Sequence, residues 1–72
     1  MEETKMNETL KAFQALANEI WGEAKVNGEK ADEAFDKMDL GLSGYHRGMH
    51  FVNAGIASRI EAILDGHRED EK

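Results

Sequence analysis

The chain has 72 residues, a formal net charge of −6, no cysteine and no proline. One small domain of this length buries little surface and has no disulfide or cysteine-based metal site to stabilise it, so we expect oligomerisation to add stability. The acidic balance argues against general DNA or RNA binding, and the lack of a long apolar run against a signal peptide or membrane span, which favours a cytoplasmic location.

The composition, without proline and rich in Ala, Glu, Lys, Leu and Met, predicts an all-α fold. A first helix is predicted from about residue 5 to about residue 26. Its apolar residues fall on one helical stripe: Met6, Leu10, Phe13, Ala17, Ile20 and Ala24. Asn27 and Gly28 then predict a turn, because both residues tolerate the left-handed conformation that ends helices.

A second helix is predicted from about residue 29 to about residue 65. Its apolar residues keep a spacing of four and three throughout: Ala31, Phe35, Met38, Leu42, Tyr45, Met49, Val52, Ile56, Ile60 and Ile63. A loop at 39–44 is the other reading of this segment, but a loop normally resets such a rhythm. Gly66 is expected to end the helix before a charged tail. The predicted fold is a single helical domain, a hairpin with a shorter first helix and a long second helix, in a symmetric homo-oligomer.

The segment from Leu40 to Ile60 contains no Asp or Glu, whereas the rest of the chain holds all 15 acidic residues. Four of the seven glycines lie in it and share one side of the predicted helix: Gly41, Gly44, Gly48 and Gly55. Each costs roughly 1 kcal/mol relative to alanine inside a helix. They therefore indicate a surface that another helix of an oligomer, or a ligand, approaches closely.

The polar residues of this segment give no catalytic constellation, so no enzyme activity and no cofactor are predicted. His46 and His50 have the spacing of two metal ligands on a helix, but a third ligand is missing, which favours ordinary surface histidines and no metal. Arg47 is expected to be a solvated cation. Arg59 lies at the edge of the glycine side, where it needs an anionic partner, either a carboxylate of another subunit or a ligand.

The runs 39–43 and 49–57, with Tyr45 between them, resemble the C-terminal helix of the phage anti-CBASS cyclic-nucleotide sponges. Asn53-Ala54-Gly55-Ile56-Ala57 is similar to the Asn-Ala-Ala-Ile-Ala core of that family, and Phe51 replaces its Trp. The resemblance implies compact helical hairpins that assemble, commonly as hexamers. Such proteins bind and sequester the cyclic di- or trinucleotides that bacterial immune synthases make.

The resemblance also implies ligand-binding residues. The Asn of the family motif corresponds to Asn53, and the Arg that closes it corresponds to Ser58, with Arg59 following. Lys11 corresponds to a Lys of a second family pocket, whose N-terminal aromatic has no counterpart before Phe13. His50 shares a polar row with His46 and Asn53 on the predicted helix, and this row could hydrogen-bond a base edge or a phosphate. The predicted contacts to phosphates or base edges are therefore Lys11, His50, Asn53 and Arg59.

The resemblance predicts a non-enzymatic phage anti-defence sponge in the cytoplasm of the host bacterium. An alternative is an acidic helical inhibitor that binds a host protein directly, since residues 1–39 carry ten acids against five lysines. A third possibility is a structural subunit of a phage particle.

Overall fold

The structure of the protein, a computed structural model, describes the backbone of residues 2–70 and the side chains of residues 6–67. Two antiparallel helices, α1 (Glu2–Asp36) and α2 (Leu40–Asp70), pack into a hairpin of 55 × 16 × 13 Å. The predicted all-α helical hairpin is confirmed. The predicted difference in helix length is wrong, because α1 has 35 residues and α2 has 31.

The turn between the helices lies at residues 37–39, where Met38 has a φ of 66°. The N–H groups of Met38 and Asp39 donate hydrogen bonds of 2.9 Å to the carbonyls of Phe35 and Ala34, respectively. A left-handed residue flanked by these two bonds is a Schellman motif, which satisfies the last carbonyls of a helix. It ends α1 without a glycine.

Asp39 begins α2 as its N-terminal cap. Its Oδ1 accepts a hydrogen bond from the Leu42 N–H at 3.1 Å, and its carbonyl accepts one from the Ser43 N–H at 2.9 Å. The side chain thereby pairs a free donor of the first turn and places a carboxylate at the positive end of the helix. The continuous helix predicted from 29 to 65 is therefore wrong, because it spans this turn.

Asn27 and Gly28 lie inside α1, so the predicted turn there is wrong. Asn27 Oδ1 accepts a hydrogen bond of 2.9 Å from His46 Nδ1, and Asn27 Nδ2 donates to the Glu23 carbonyl at 3.1 Å. A Cβ on Gly28 would lie 3.2 Å from His50 Nδ1. The two residues that resemble a turn signal are the places where two histidines of α2 pack against α1.

The predicted end of the second helix at Gly66 is also wrong. Helix α2 continues through Gly66 to Asp70, so most of the predicted tail is helical. Its last two residues, 71–72, lie outside the described part of the chain.

The helices meet through residues that recur every seven positions. These are Ala17, Ala24 and Ala31 on α1, and Ser43, His50, Ala57 and Leu64 on α2. Ser43 Oγ donates to the Ala31 carbonyl at 2.9 Å, and His50 Nδ1 donates to the Ala24 carbonyl at 2.7 Å. A seven-residue repeat keeps one side of each helix in contact, and alanine allows side chains of α2 to reach the backbone of α1. This contact is termed the seam.

Six large apolar side chains of α2 form a row just outside the seam. Each directly precedes a residue that faces α1, and their exposed fractions range from 37% to 64%. They are Leu42, Tyr45, Met49, Val52, Ile56 and Ile63, termed the outer stripe. Among the residues with described side chains, Leu64 is the large one that is fully buried. The hairpin therefore buries small and polar residues and exposes apolar ones.

The accessible surface of the hairpin is 5598 Å² for a mass of 8.1 kDa. A compact monomer of this mass exposes about 4,500 Å². The excess of about 1,100 Å² exceeds the roughly 800 Å² that each partner buries in a standard protein interface. The oligomer stays a prediction, and the exposed outer stripe gives it a physical basis.

The turn geometry predicts that Met38→Gly stabilises the hairpin. The left-handed conformation costs an L-residue roughly 1–2 kcal/mol, so the substitution should raise the free energy of unfolding by about 1 kcal/mol in urea titrations. Lys37→Gly is the matched control, because Met38 is the one non-glycine residue in the described chain with a positive φ. Equal gains from the two substitutions would contradict the Schellman turn.

Candidate functional site

A groove runs along one flank of the hairpin, between the outer stripe and the adjoining side of α1. Three pockets open into it, and each is lined by one member of the outer stripe: Ile63 at the open end, Met49 in the middle and Leu42 at the turn. Lys30 lines both the middle and turn pockets, so these two pockets are adjacent. These pockets together are termed the flank groove.

The middle and turn pockets are wide and open to solvent. Their volumes are about 550 Å³ and about 430 Å³, respectively. The pocket at the open end is smaller, about 160 Å³, and almost entirely apolar, with Phe13, Ile60 and Leu64 among its lining residues. The middle and turn pockets therefore offer a surface for a small molecule, but a single hairpin does not enclose one.

Asn53 lies in the wall of the middle pocket. Its exposed fraction is 8%, and its side-chain amide forms no hydrogen bond with any residue from 6 to 67. Since no fully enclosed side-chain polar atom of the described chain lacks a partner, the amide must reach the open pocket. A largely buried amide with both donors and an acceptor free is suited to receive a polar group from outside the hairpin.

Charged residues surround this amide. Glu19, Glu23 and Lys30 line the same pocket and are exposed. Because this pocket has two carboxylates and one ammonium group, its charge favours a cation over a phosphate.

The two histidines of α2 are held by separate partners. His50 Nδ1 donates to the Ala24 carbonyl, and His46 Nδ1 donates to Asn27 Oδ1, because both oxygens can only accept. Each ring is half-buried and has Nε2 remaining for other contacts. His50 therefore has a structural role in the seam, and its predicted ligand contact stays a prediction limited to one ring nitrogen.

The two arginines of the carboxylate-free segment differ in their surroundings. Arg47 is exposed to solvent and donates to Asp32 Oδ1 at 2.8 Å. The pair is exposed and contributes little stability. Arg59 is exposed and has no ion-pair partner among residues 6–67. Arg59 lies three residues after Ile56 of the outer stripe and six residues after Asn53.

Lys11 is exposed on α1 and lies far from the middle pocket. The contact between Asn27 and His46 fixes the alignment of the helices and places Ile20 opposite Asn53. Lys11 is nine residues from Ile20, or about 13 Å along the helix. One hairpin therefore does not bring Lys11 to Asn53.

No protein-family model, curated protein or solved structure matches this chain. The predicted ligand contacts at Lys11, His50, Asn53 and Arg59 therefore stay predictions.

Among the described residues, no group of three or more His, Cys, Asp or Glu side chains is placed to hold a metal ion. Neither helix, over the same residues, has a segment long and apolar enough to span a membrane.

The glycine side of α2 is open. A Cβ added at Gly41, Gly44, Gly48 or Gly55 would meet no atom within 4 Å. The hairpin itself therefore does not require glycine at these positions, and close approach by another helix or a ligand remains the prediction for them.

The groove residues of α1, Glu19, Glu23 and Lys30, were not predicted from the sequence. A signal for them exists, because Ala17, Ala24 and Ala31 recur every seven residues and mark the side of α1 that meets α2. Residues flanking that repeat are expected to border the contact.

Two glycine substitutions should distinguish an open glycine of α2 from the glycine of α1 that packs against a histidine. Gly48→Ala should raise the free energy of unfolding by about 1 kcal/mol, because alanine has the higher helix propensity and the site is open. Gly28→Ala should gain clearly less, because its Cβ must displace the His50 ring. Urea titrations at one protein concentration measure both. An equal gain at the two positions would contradict the packing of His50 on α1.

Proposed function

We propose that this protein is a non-enzymatic phage anti-defence sponge. In this proposal it forms a symmetric homo-oligomer, of the hexameric kind that the resemblance implies, in the cytoplasm of the host bacterium. It binds cyclic di- or trinucleotides at subunit boundaries and so withholds them from immune effectors. The observation that carries the proposal is the Asn53 amide, which is largely buried, has no partner in the hairpin and opens into a pocket of about 550 Å³.

The neighbours of Asn53 suggest how such a ligand would lie. An asparagine amide can pair with the edge of a base, since it offers two donors and an acceptor. Arg59 supplies the charge for a phosphate, and a charge-assisted contact of this kind is stronger than a neutral hydrogen bond. Glu19 and Glu23 disfavour phosphates in the middle pocket. The phosphates of the ligand would therefore lie outside this pocket, toward Arg59.

Sequestration needs no chemical step. A protein that binds a signal and is present in excess over it lowers the free concentration by mass action. The ligand would be recovered unchanged on denaturation.

Calorimetric titration with cyclic dinucleotides, cyclic trinucleotides and cyclic ADP-ribose isomers tests the proposal. Binding of at least one ligand is expected. Arg59→Ala should weaken it by about 1.5–3 kcal/mol, or roughly 10- to 150-fold, because a charge-assisted contact is lost. Arg47→Ala is the matched control and should have little effect, because Arg47 is paired with Asp32 in its own hairpin. The absence of heat with every ligand would refute the sponge.

A direct inhibitor of a host protein is the second candidate. The feature that favours it is the acidic first helix, together with the exposed outer stripe, which offers charge and apolar contact to a basic partner. Affinity capture from bacterial lysate separates the two, since a sponge retains a small molecule and an inhibitor retains a stoichiometric protein.

A further inference from the structure

We propose that the flank groove receives α2 from a second copy of this chain, antiparallel to the first α2, with Arg59 of each copy beside Glu23 of the other. This assembly rests on the homo-oligomeric part of the proposed function and specifies which surfaces meet. It gives Arg59 a protein partner at the boundary where the ligand is proposed to bind.

The outer stripe is complementary to itself when reversed. Leu42, Met49, Ile56 and Ile63 recur every seven residues. A second α2 running in the opposite direction places Leu42 opposite Ile63, and Met49 opposite Ile56. The same patch is then used by both copies, as a twofold dimer requires, and the seven-residue repeat keeps the two helices in contact along the stripe.

The twofold axis of this arrangement passes between the levels of residues 52 and 53. Asn53, which faces α1 and lines the middle pocket, lies beside this axis. Its amide has no side-chain partner among residues 6–67 and stays available to a ligand at the boundary between the copies.

The charges of the two surfaces are complementary in this register. Arg59 of the second copy lies level with His46 of the first, and His46 contacts Asn27 of α1. A helical side chain leans over the turn that precedes it, which carries the guanidinium about one turn along α1, to the level of Glu23. Glu23 lines the middle pocket without an ion-pair partner in the described chain. Twofold symmetry makes two such pairs.

The total exposed surface of the hairpin fits one such interface. The hairpin exposes about 1,100 Å² more than a compact monomer of its mass, and a standard interface buries about 800 Å² on each partner. Ile56 and Ile63, next to Arg59, are 41% and 64% exposed. Covering the stripe therefore removes most of the excess surface.

The pairing also explains how Arg59 serves a ligand at a subunit boundary. A guanidinium has five N–H donors, and one carboxylate accepts two of them. Glu23 of the neighbouring copy would thus hold the guanidinium in place while the remaining donors face outward.

Charge reversal with the full chain, in the absence of nucleotide, tests this interface. Sedimentation equilibrium compares the wild type with Glu23→Arg, Arg59→Glu and the double variant. The wild type is expected to be a dimer or an even multiple of one at micromolar concentration. Each single variant should raise the dissociation constant at least tenfold, because it places like charges together, and the double variant should return it to within about threefold.

Glu29→Arg is the matched control, because Glu29 is exposed on the same helix and lines none of the three pockets. It should assemble like the wild type. A wild-type oligomer that neither single variant weakens, or that the double variant does not rescue, overturns the groove interface alone. A monomeric wild type overturns the interface and the oligomeric part of the proposed function together. Nucleotide binding is scored separately by calorimetry, where the rescued double variant should assemble but bind ligand weakly.

Discussion

The close approach of the two helices along the alanine seam is the constraint on which the rest of the structure depends. Ala17, Ala24 and Ala31 bring the backbone of α1 near enough for Ser43 and His50 to bond to its carbonyls. Alanine on α1 against serine and histidine on α2 leaves little room for large side chains over most of the seam, and Leu64 is the exception. The apolar residues of α2 are consequently displaced by one position, onto the outer stripe, where one hairpin cannot bury them.

This displacement links stability to association. Hydrophobic burial is the dominant favourable term in folding, and the hairpin obtains little of it internally, since Leu64 is the large side chain it fully buries among residues 6–67. In the proposed assembly, a second copy on the flank groove would supply that burial and complete the surroundings of Arg59. The residues proposed for ligand contact therefore belong to a boundary that one chain does not form by itself.

The sequence was sufficient to predict two packed helices and the side of α1 that meets α2, because the apolar stripe of α1 coincides with its seam. It was insufficient for the turn. Met38 takes the left-handed conformation usually given to glycine, while Asn27 and Gly28 serve the packing of two histidines. The apolar spacing of four and three runs across the turn, which led to the prediction of one continuous helix. On α2 this spacing marks the exposed outer stripe and not the side that faces α1. The resemblance predicted Asn53 as a site residue, whereas Glu23 was identified only from its position in the middle pocket.

The central claim, that folding of the hairpin is coupled to association through the outer stripe, is tested most directly by unfolding the ligand-free protein at a series of concentrations. For a dimer, the apparent free energy of unfolding per mole of dimer rises by about 1.4 kcal/mol for each tenfold increase in concentration. If folding is coupled to association, the midpoint of unfolding rises with protein concentration across this series. A midpoint that does not change with concentration would contradict it.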